Sequence, residues 1–254
     1  MEHVFENHLL WQKQNNLILI MAGGLGKRMN SDLPKVLHEL NGLPLIVHVV
    51  KSALQIDGTS VIYIIVGAYK DQIEKAINEH FMKSNYIRYI NQPEPLGTGH
   101  AIQCCQDVLH QYDYSSKVLI LSGDVPLFST QSMRDVLNNH SKATIVATQM
   151  DEPYGYGRVI QDCSLRIVEE KDCSDEEKQV KMVNCGIYAF ENKTLCKNLP
   201  KIKNENAQKE YYLTSIFETI QEKIDVFEIP ANKHYEVCGI NTQEQLEEMR
   251  SKTV

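Results

Sequence analysis

Short apolar runs set the limits on what this chain can fold into. "LILIMA" (17–22), "VIYIIVG" (61–67) and "KVLILSG" (117–123) are almost unbroken in large aliphatic residues. A strand with one wet face alternates polar and apolar side chains, whereas an unbroken run needs cover on both faces. "YIRYI" (86–90) and "ATIVAT" (143–148) have the length and the β-branched or aromatic content of two more strands. Amphipathic stretches lie between them. "KDQIEKAINEHF" (70–81) spaces Ile73, Ile77 and Phe81 four apart, which predicts a helix with one apolar face. "LPLIVHVVKSALQ" (43–55) is a second helix, with Pro44 in its first turn, where a missing N–H costs nothing. "GTGHAIQCCQDVL" (97–109) and "STQSMRDVLNNH" (129–140) are two more, the last capped by Ser129 or Thr130. This alternation predicts an α/β fold with a mostly parallel central sheet covered by helices.

The second half is less regular. "YGYGRVI" (154–160), "RIVEE" (166–170), "KMVNCGIYAF" (181–190) and "DVFEIP" (225–230) read as strands. "KEYYLTSIFETIQ" (209–221) and "TQEQLEEMR" (242–250) read as helices. Ligands on sheets of this kind bind beyond the carboxyl ends of the strands. Two such ends carry chemistry: the glycine turn at 23–26 and "SGD" at 122–124.

Composition excludes several classes. The formal charge of −7 over 254 residues leaves no basic excess to neutralise nucleic-acid phosphates. No apolar run reaches the ~18–20 residues of a membrane span. The polar start "MEHVFENHLLWQKQNN" lacks a signal pattern, so a cytoplasmic location is expected. Seven cysteines with no C-x-x-C, and nine histidines with no H-x-x-x-H, fit reduced thiols and no structural zinc.

The turn Gly23-Gly24-Leu25-Gly26-Lys27-Arg28 fails two phosphate-loop motifs. Met21 and Arg28 break the Walker pattern, and Met29 stands where the dinucleotide fingerprint needs its third glycine. General physics remains. Glycines after a strand expose backbone N–H groups and let an oxyanion approach without a Cβ clash, and Arg28 and Lys35 add positive charge. From the turn alone, an ordinary tight turn with solvated cations is an equally good account.

The longer segment "MAGGLGKRMNSDLPKVLHELNGLPLI" resembles the signature of the sugar-nucleotide pyrophosphorylases. It is most similar to the uridylyltransferase domains of the bacterial bifunctional N-acetylglucosamine-1-phosphate uridylyltransferases. "NQPEPLGTGHAI", "LILSGDVPL", "YGYGRVI", "IVEEKD", "VNCGIYAF", "NAQKEYYLT" and "CGINTQEQL" follow in that family's order, from about residue 17 to 250. The resemblance implies a Rossmann-like nucleotidyltransferase domain over 17–254, after an N-terminal extension of 1–16. Its nucleotide-binding half would run over about 17–150 and a smaller, β-rich sugar-binding half over about 151–254.

The implied reaction is uridylyl transfer from UTP to N-acetylglucosamine 1-phosphate with Mg²⁺. Another sugar 1-phosphate or base (UDP-glucose or dTDP-glucose type) is an alternative, and a non-catalytic sugar-nucleotide sensor is a reading of another class. No nucleic-acid or membrane partner is implied. Carried over by register, Met21, Ala22, Gly23 and Gly24 would hold the nucleotide, with Gln92 reading uracil and Gly97 and Thr98 completing the base pocket. Arg28 and Lys35 would be catalytic, stabilising charge on the triphosphate. Asp124 and Asn241 would hold the metal, although Asn241 is also placed to cap the terminal helix. Gly157, Glu169 and Asn184 would face the sugar, with Glu169 favoured over Glu170 and Tyr211 a weaker candidate for the pocket wall.

The chain departs from the family pattern at several points. Ser122 replaces the usual Tyr before Gly-Asp, Leu25 and Lys27 replace Lys and Thr, Cys185 replaces Thr, and Ser215 replaces Asp. None removes a charge required at the metal, so activity is still expected. No hexapeptide repeat occurs, so the acetyltransferase activity of the bifunctional relatives is not expected of these residues.

Overall fold

The computed structural model describes residues 16–24, 26–29, 31–56, 61–82, 84–139 and 141–252. The expected extension therefore lies outside the described residues, except for Asn16. Eleven strands occur among the described residues: β1 (Asn16–Met21), β2 (Glu39–Leu40), β3 (Leu43–Pro44), β4 (Val61–Val66), β5 (Ile87–Asn91), β6 (Lys117–Ser122), β7 (Ala143–Gln149), β8 (Arg158–Gln161), β9 (Leu165–Val168), β10 (Met182–Glu191) and β11 (Ile224–Ile229). The main sheet runs in the order β11-β7-β10-β6-β1-β4-β5, with β8 and β9 branching from β10. The β1–β4, β1–β6, β4–β5 and β7–β11 pairs are parallel, and β10 runs antiparallel to both its neighbours.

The unbroken apolar runs are the central strands. Leu17, Ile18, Leu19 and Ile20 of β1 are all fully buried, between Val61–Ile64 on one side and Val118–Leu121 on the other. Alternate residues feed two cores. Ile18, Ile20, Ile62, Ile64 and Leu119 pack with the helices Leu45–Leu54, Lys70–Phe81 and Thr130–Asn138. Leu17, Leu19, Val61, Val118 and Ile120 pack with Thr98–Gln103, Gln106–Leu109 and Asn192–Asn198. A third, smaller cluster joins Met29, Leu40 and Leu45 to Ile240, Leu246 and Met249. It folds the C-terminal helix Gln243–Lys252 back onto the region of the glycine turn.

Three local expectations need revision, and one helix went unread. The stretch 97–109 is two short helices, because the backbone opens at Cys104–Cys105, where Cys105 takes φ −89°, ψ 0°. The helix expected over 209–221 is only a 3₁₀ turn at Leu213–Glu218. Tertiary hydrogen bonds take its first residues: Tyr211 N–H donates to Leu96 O, Tyr211 O accepts from Gly99 N–H, and Leu213 N–H donates to Thr98 Oγ1. Pro44 precedes its helix, pairing with Glu39 in a two-residue hairpin. The helix Asn192–Asn198 was not visible in the apolar pattern. The Ser129 cap is as expected, its hydroxyl accepting from Ser132 N–H. Among the described residues, no helix is long and apolar enough to cross a membrane.

Candidate active site

β1, β5 and β6 deliver their carboxyl ends to one cleft of about 480 Å³. Met21, Ala22, Gly23 and Gly24 form one wall, and Gln92, Gly97 and Thr98 form another. Lys35, Ser122 and Asp124 line it as well, so the nucleotide-side residues expected from the sequence share one cavity. Glu210 also lines it and was not expected. Its motif "NAQKEYYLT" was legible, but its approach to the cleft depends on the Tyr211 backbone contacts described above.

Sterics explain the glycines. A Cβ on Gly23 would lie 2.6 Å from Gln92 Oε1, whereas one on Gly24 would meet nothing within 4 Å. Gly97 has φ +112°, and a Cβ there would fall 2.6 Å from Tyr211 O, a backbone atom that cannot step aside. Gln92 is 7% exposed, and its Nε2 donates to Gly97 O at 3.1 Å. Its amide is therefore clamped between the two glycine segments. Thr98 Oγ1 accepts from Leu213 N–H at 3.0 Å, so this residue also ties the cleft wall together.

The charged end of the cleft gathers residues from three distant parts of the chain. Lys35 Nζ donates to Asp124 Oδ2 and, at 3.0 Å, to Asn241 Oδ1. Arg28, largely exposed, donates through Nη2 to the same Asn241 oxygen at 3.0 Å. Ser122 Oγ donates to Asp124 Oδ1 at 2.5 Å. The backbone fastens this group, with Ile240 N–H donating to Asp124 O at 2.9 Å. Burial by itself would raise the Asp124 pKa, but the Lys35 charge and the Lys35 and Ser122 hydrogen bonds outweigh it and hold the carboxyl below its usual range. Asn241 is not the cap of the terminal helix: Thr242 Oγ1 accepts from Gln245 N–H, which leaves Asn241 Oδ1 to Arg28 and Lys35 while its Nδ2 donates to Gly239 O.

Gly157, Glu169 and Asn184 form a second group. Asn184 N–H donates to Gly157 O at 2.9 Å, and a Cβ on Gly157 would sit 3.4 Å from Glu169 Oε2. Glu169 Oε1 accepts from Thr214 Oγ1 at 2.8 Å. Burial raises the Glu169 pKa against the lowering effect of that hydrogen bond, and Asp172 and Glu210 push it further up. Glu210 thus links this group electrostatically to the cleft. Glu170 is committed elsewhere, 2.8 Å from the buried Arg158 guanidinium. Tyr211 contributes its backbone to hydrogen bonds with Leu96 and Gly99 and its ring to a tilted contact with His100. A cleft walled by residues 21–24, with Lys35 and Asp124 at one end and Arg28 joined to them through Asn241, can hold a polyanion and redistribute charge on it.

Residues 17–235 match the family model described as nucleotidyl transferase. The chain is 38% identical to a protein of Acanthamoeba polyphaga mimivirus named "Probable UDP-N-acetylglucosamine pyrophosphorylase", over 92% of this chain and 94% of that one. It is 41% identical to the bifunctional protein GlmU of Geotalea daltonii over 91% of its own length, and spans about half the length of that relative. Among solved structures, a UDP-glucose pyrophosphorylase complexed with UDP-glucose aligns over 93% of this chain and 97% of its own, with TM-score 0.70 at 16% identity. At that identity the likeness concerns the fold. The chain belongs to the nucleotidyl transferase family, and its sheet is the Rossmann-like one of that family's solved structures.

Proposed function

We propose that this protein transfers the uridylyl group of UTP to N-acetylglucosamine 1-phosphate, giving UDP-N-acetylglucosamine and pyrophosphate. The observation that carries the reading is the convergence of Arg28, Lys35, Asp124 and Asn241 on one oxygen-and-nitrogen cluster at the phosphate end of a cleft whose other end is Gln92, Gly97 and Thr98. The near-full-length likeness to a protein named for this product supports the choice of sugar and base.

In this reading the sugar phosphate oxygen attacks the α-phosphorus and pyrophosphate leaves in line. The protein supplies position and charge, with no side-chain nucleophile. Ala22, Gly23 and Gly24 hold the phosphates through backbone groups. Gln92 presents an amide, both donor and acceptor, to the imide edge of uracil. Arg28 and Lys35 neutralise charge that builds on the phosphates during transfer. Glu169 accepts from sugar hydroxyls, and Gly157 spares Ile167 and Glu169 the crowding that a side chain there would cause. Asp124 and Asn241 fit Mg²⁺: a buried carboxylate oxygen and an amide oxygen, both hard donors, already converge on one cationic centre. When bound there, the ion offsets repulsion between two polyanions.

The test is pyrophosphate release over a panel of UTP, CTP and dTTP against N-acetylglucosamine 1-phosphate and glucose 1-phosphate, with Mg²⁺ or EDTA. Highest kcat/KM for the UTP and N-acetylglucosamine 1-phosphate pair, lost in EDTA, is expected. No release with any pair would leave a binding protein and refute the reading.

A further inference from the structure

The cation that bridges the two metal-ligand candidates belongs to the protein itself. Lys35 Nζ sits on Asp124 Oδ2 and Asn241 Oδ1 together, and Arg28 adds a second donor to the Asn241 oxygen. Ser122 occupies the remaining carboxylate oxygen, Oδ1. Each oxygen of the pair that faces the cleft thus carries a protein donor. We propose that Lys35 guards the metal position: its ammonium and the divalent cation are alternative occupants of the same two oxygens, so the metal enters only when a triphosphate draws the lysine away. The inference rests on the reading of Asp124 and Asn241 as metal ligands.

The physics favours exchange over coexistence. A buried carboxylate without a counter-charge is costly, so an empty position would either protonate or be filled. Lys35 fills it without solvent ions, since its side chain is only 17% exposed and lies against the carboxylate. A divalent ion arriving alone must displace that ammonium from both oxygens it holds, and it brings no anion to take their place. A triphosphate supplies the receiver, because in the proposed reading its oxygens would lie along the glycine turn against which Lys35 packs. A Cβ on Gly26 would come within 2.7 Å of Lys35 Cβ, so the stem of the lysine is fixed and only its distal carbons and head are left to swing. Lys35 then serves twice, first as the occupant of the metal position and next as a phosphate ligand. The metal and the nucleotide enter together, and the nucleotide-free enzyme is shielded from adventitious divalent ions.

The experiment is titration of nucleotide-free protein with Mn²⁺, following the loss of the free-ion electron paramagnetic resonance signal. Lys35→Met keeps the stem and removes the charge, and should bind Mn²⁺ at least tenfold more tightly than wild type. Lys35→Ala should do the same, which guards against a misfolded Met variant; circular dichroism checks both. Lys35→Arg keeps a cation on the pair and should retain the weak binding of wild type, a result that simple loosening of the loop would not give. Wild-type Mn²⁺ affinity as tight as that of Lys35→Met would overturn the guard while leaving the metal reading intact. Tight Mn²⁺ binding by Lys35→Met that survives a further Asp124→Asn change would instead overturn the metal reading itself.

Discussion

Gly23 and Gly24 stand side by side in the same turn, yet the structure separates their roles. An Ala Cβ at position 23 would lie 2.6 Å from Gln92 Oε1, so the amide must retreat by about 0.8 Å to restore ordinary contact. The atom displaced is the end of a side chain, so backbone strain is small. The amide is not free to move at no cost, however. Gln92 is almost fully buried, and its Nε2 already sits 3.1 Å from Gly97 O, a bond that such a retreat would break. Losing one net hydrogen bond costs about 1 kcal/mol of stability. Moving the group proposed to read the base costs at least as much again in binding, so the UTP KM of Gly23→Ala should rise roughly fivefold or more, at about 1.4 kcal/mol per decade. Discrimination between UTP and CTP should narrow in parallel, since the misplaced group is the reader. Gly24→Ala is the control: its Cβ meets open space, and stability should stay within about 0.5 kcal/mol of wild type. Steady-state pyrophosphate release with both nucleotides, together with urea midpoints, measures all of this. If Gly23→Ala keeps the wild-type KM and the full UTP preference, Gln92 does not read the base through this geometry.

Asp124→Asn should abolish Mg²⁺-dependent turnover while the circular dichroism spectrum stays unchanged; wild-type-like rates would remove Asp124 from the metal position. Arg28→Ala should lower kcat about a hundredfold, roughly 3 kcal/mol of transition-state stabilisation, with little change in thermal midpoint because the side chain is exposed. A rise confined to KM would assign Arg28 to ground-state binding instead. Glu169→Gln should stabilise the free protein at neutral pH and raise the KM for the sugar phosphate. The sign follows from its elevated folded-state pKa: ionised Glu169 penalises the fold above that pKa, and the penalty fades as pH falls through it toward the ordinary carboxyl value near 4.3. Denaturation curves at several pH values should therefore converge for mutant and wild type on the acid side, and parallel curves would refute the buried-charge account.

The sequence by itself determined the layered sheet. Residues 17–20, 61–66 and 118–121 are apolar without interruption, and burial on both faces is the only condition under which such runs are stable as strands. It also determined the helix Lys70–Phe81, because Ile73, Ile77 and Phe81 share one helix face, whereas on a strand Lys75 and Glu79 would interrupt that face. The residues that motif order assigns to the nucleotide side line one cavity, since they fall at strand ends that a parallel sheet must align.

Only the tertiary structure decided the rest. The segment 209–213 has helical periodicity, but its backbone groups are taken by Leu96, Thr98 and Gly99 from the far side of the cleft, and local propensity cannot anticipate a partner more than 100 residues away. Motif register favours Glu169 over Glu170, but it does not show what either side chain touches. Arg158 claims one and Thr214 the other, a choice made by which way each side chain leaves the end of β9. Asn241 reads equally well as a helix cap until Thr242 is seen to take that role. Above all, no local pattern could show that Lys35 stands on the oxygens of Asp124 and Asn241, because that contact depends on the small core of Met29, Leu40, Ile240 and Leu246, which docks the C-terminal helix beside the glycine turn.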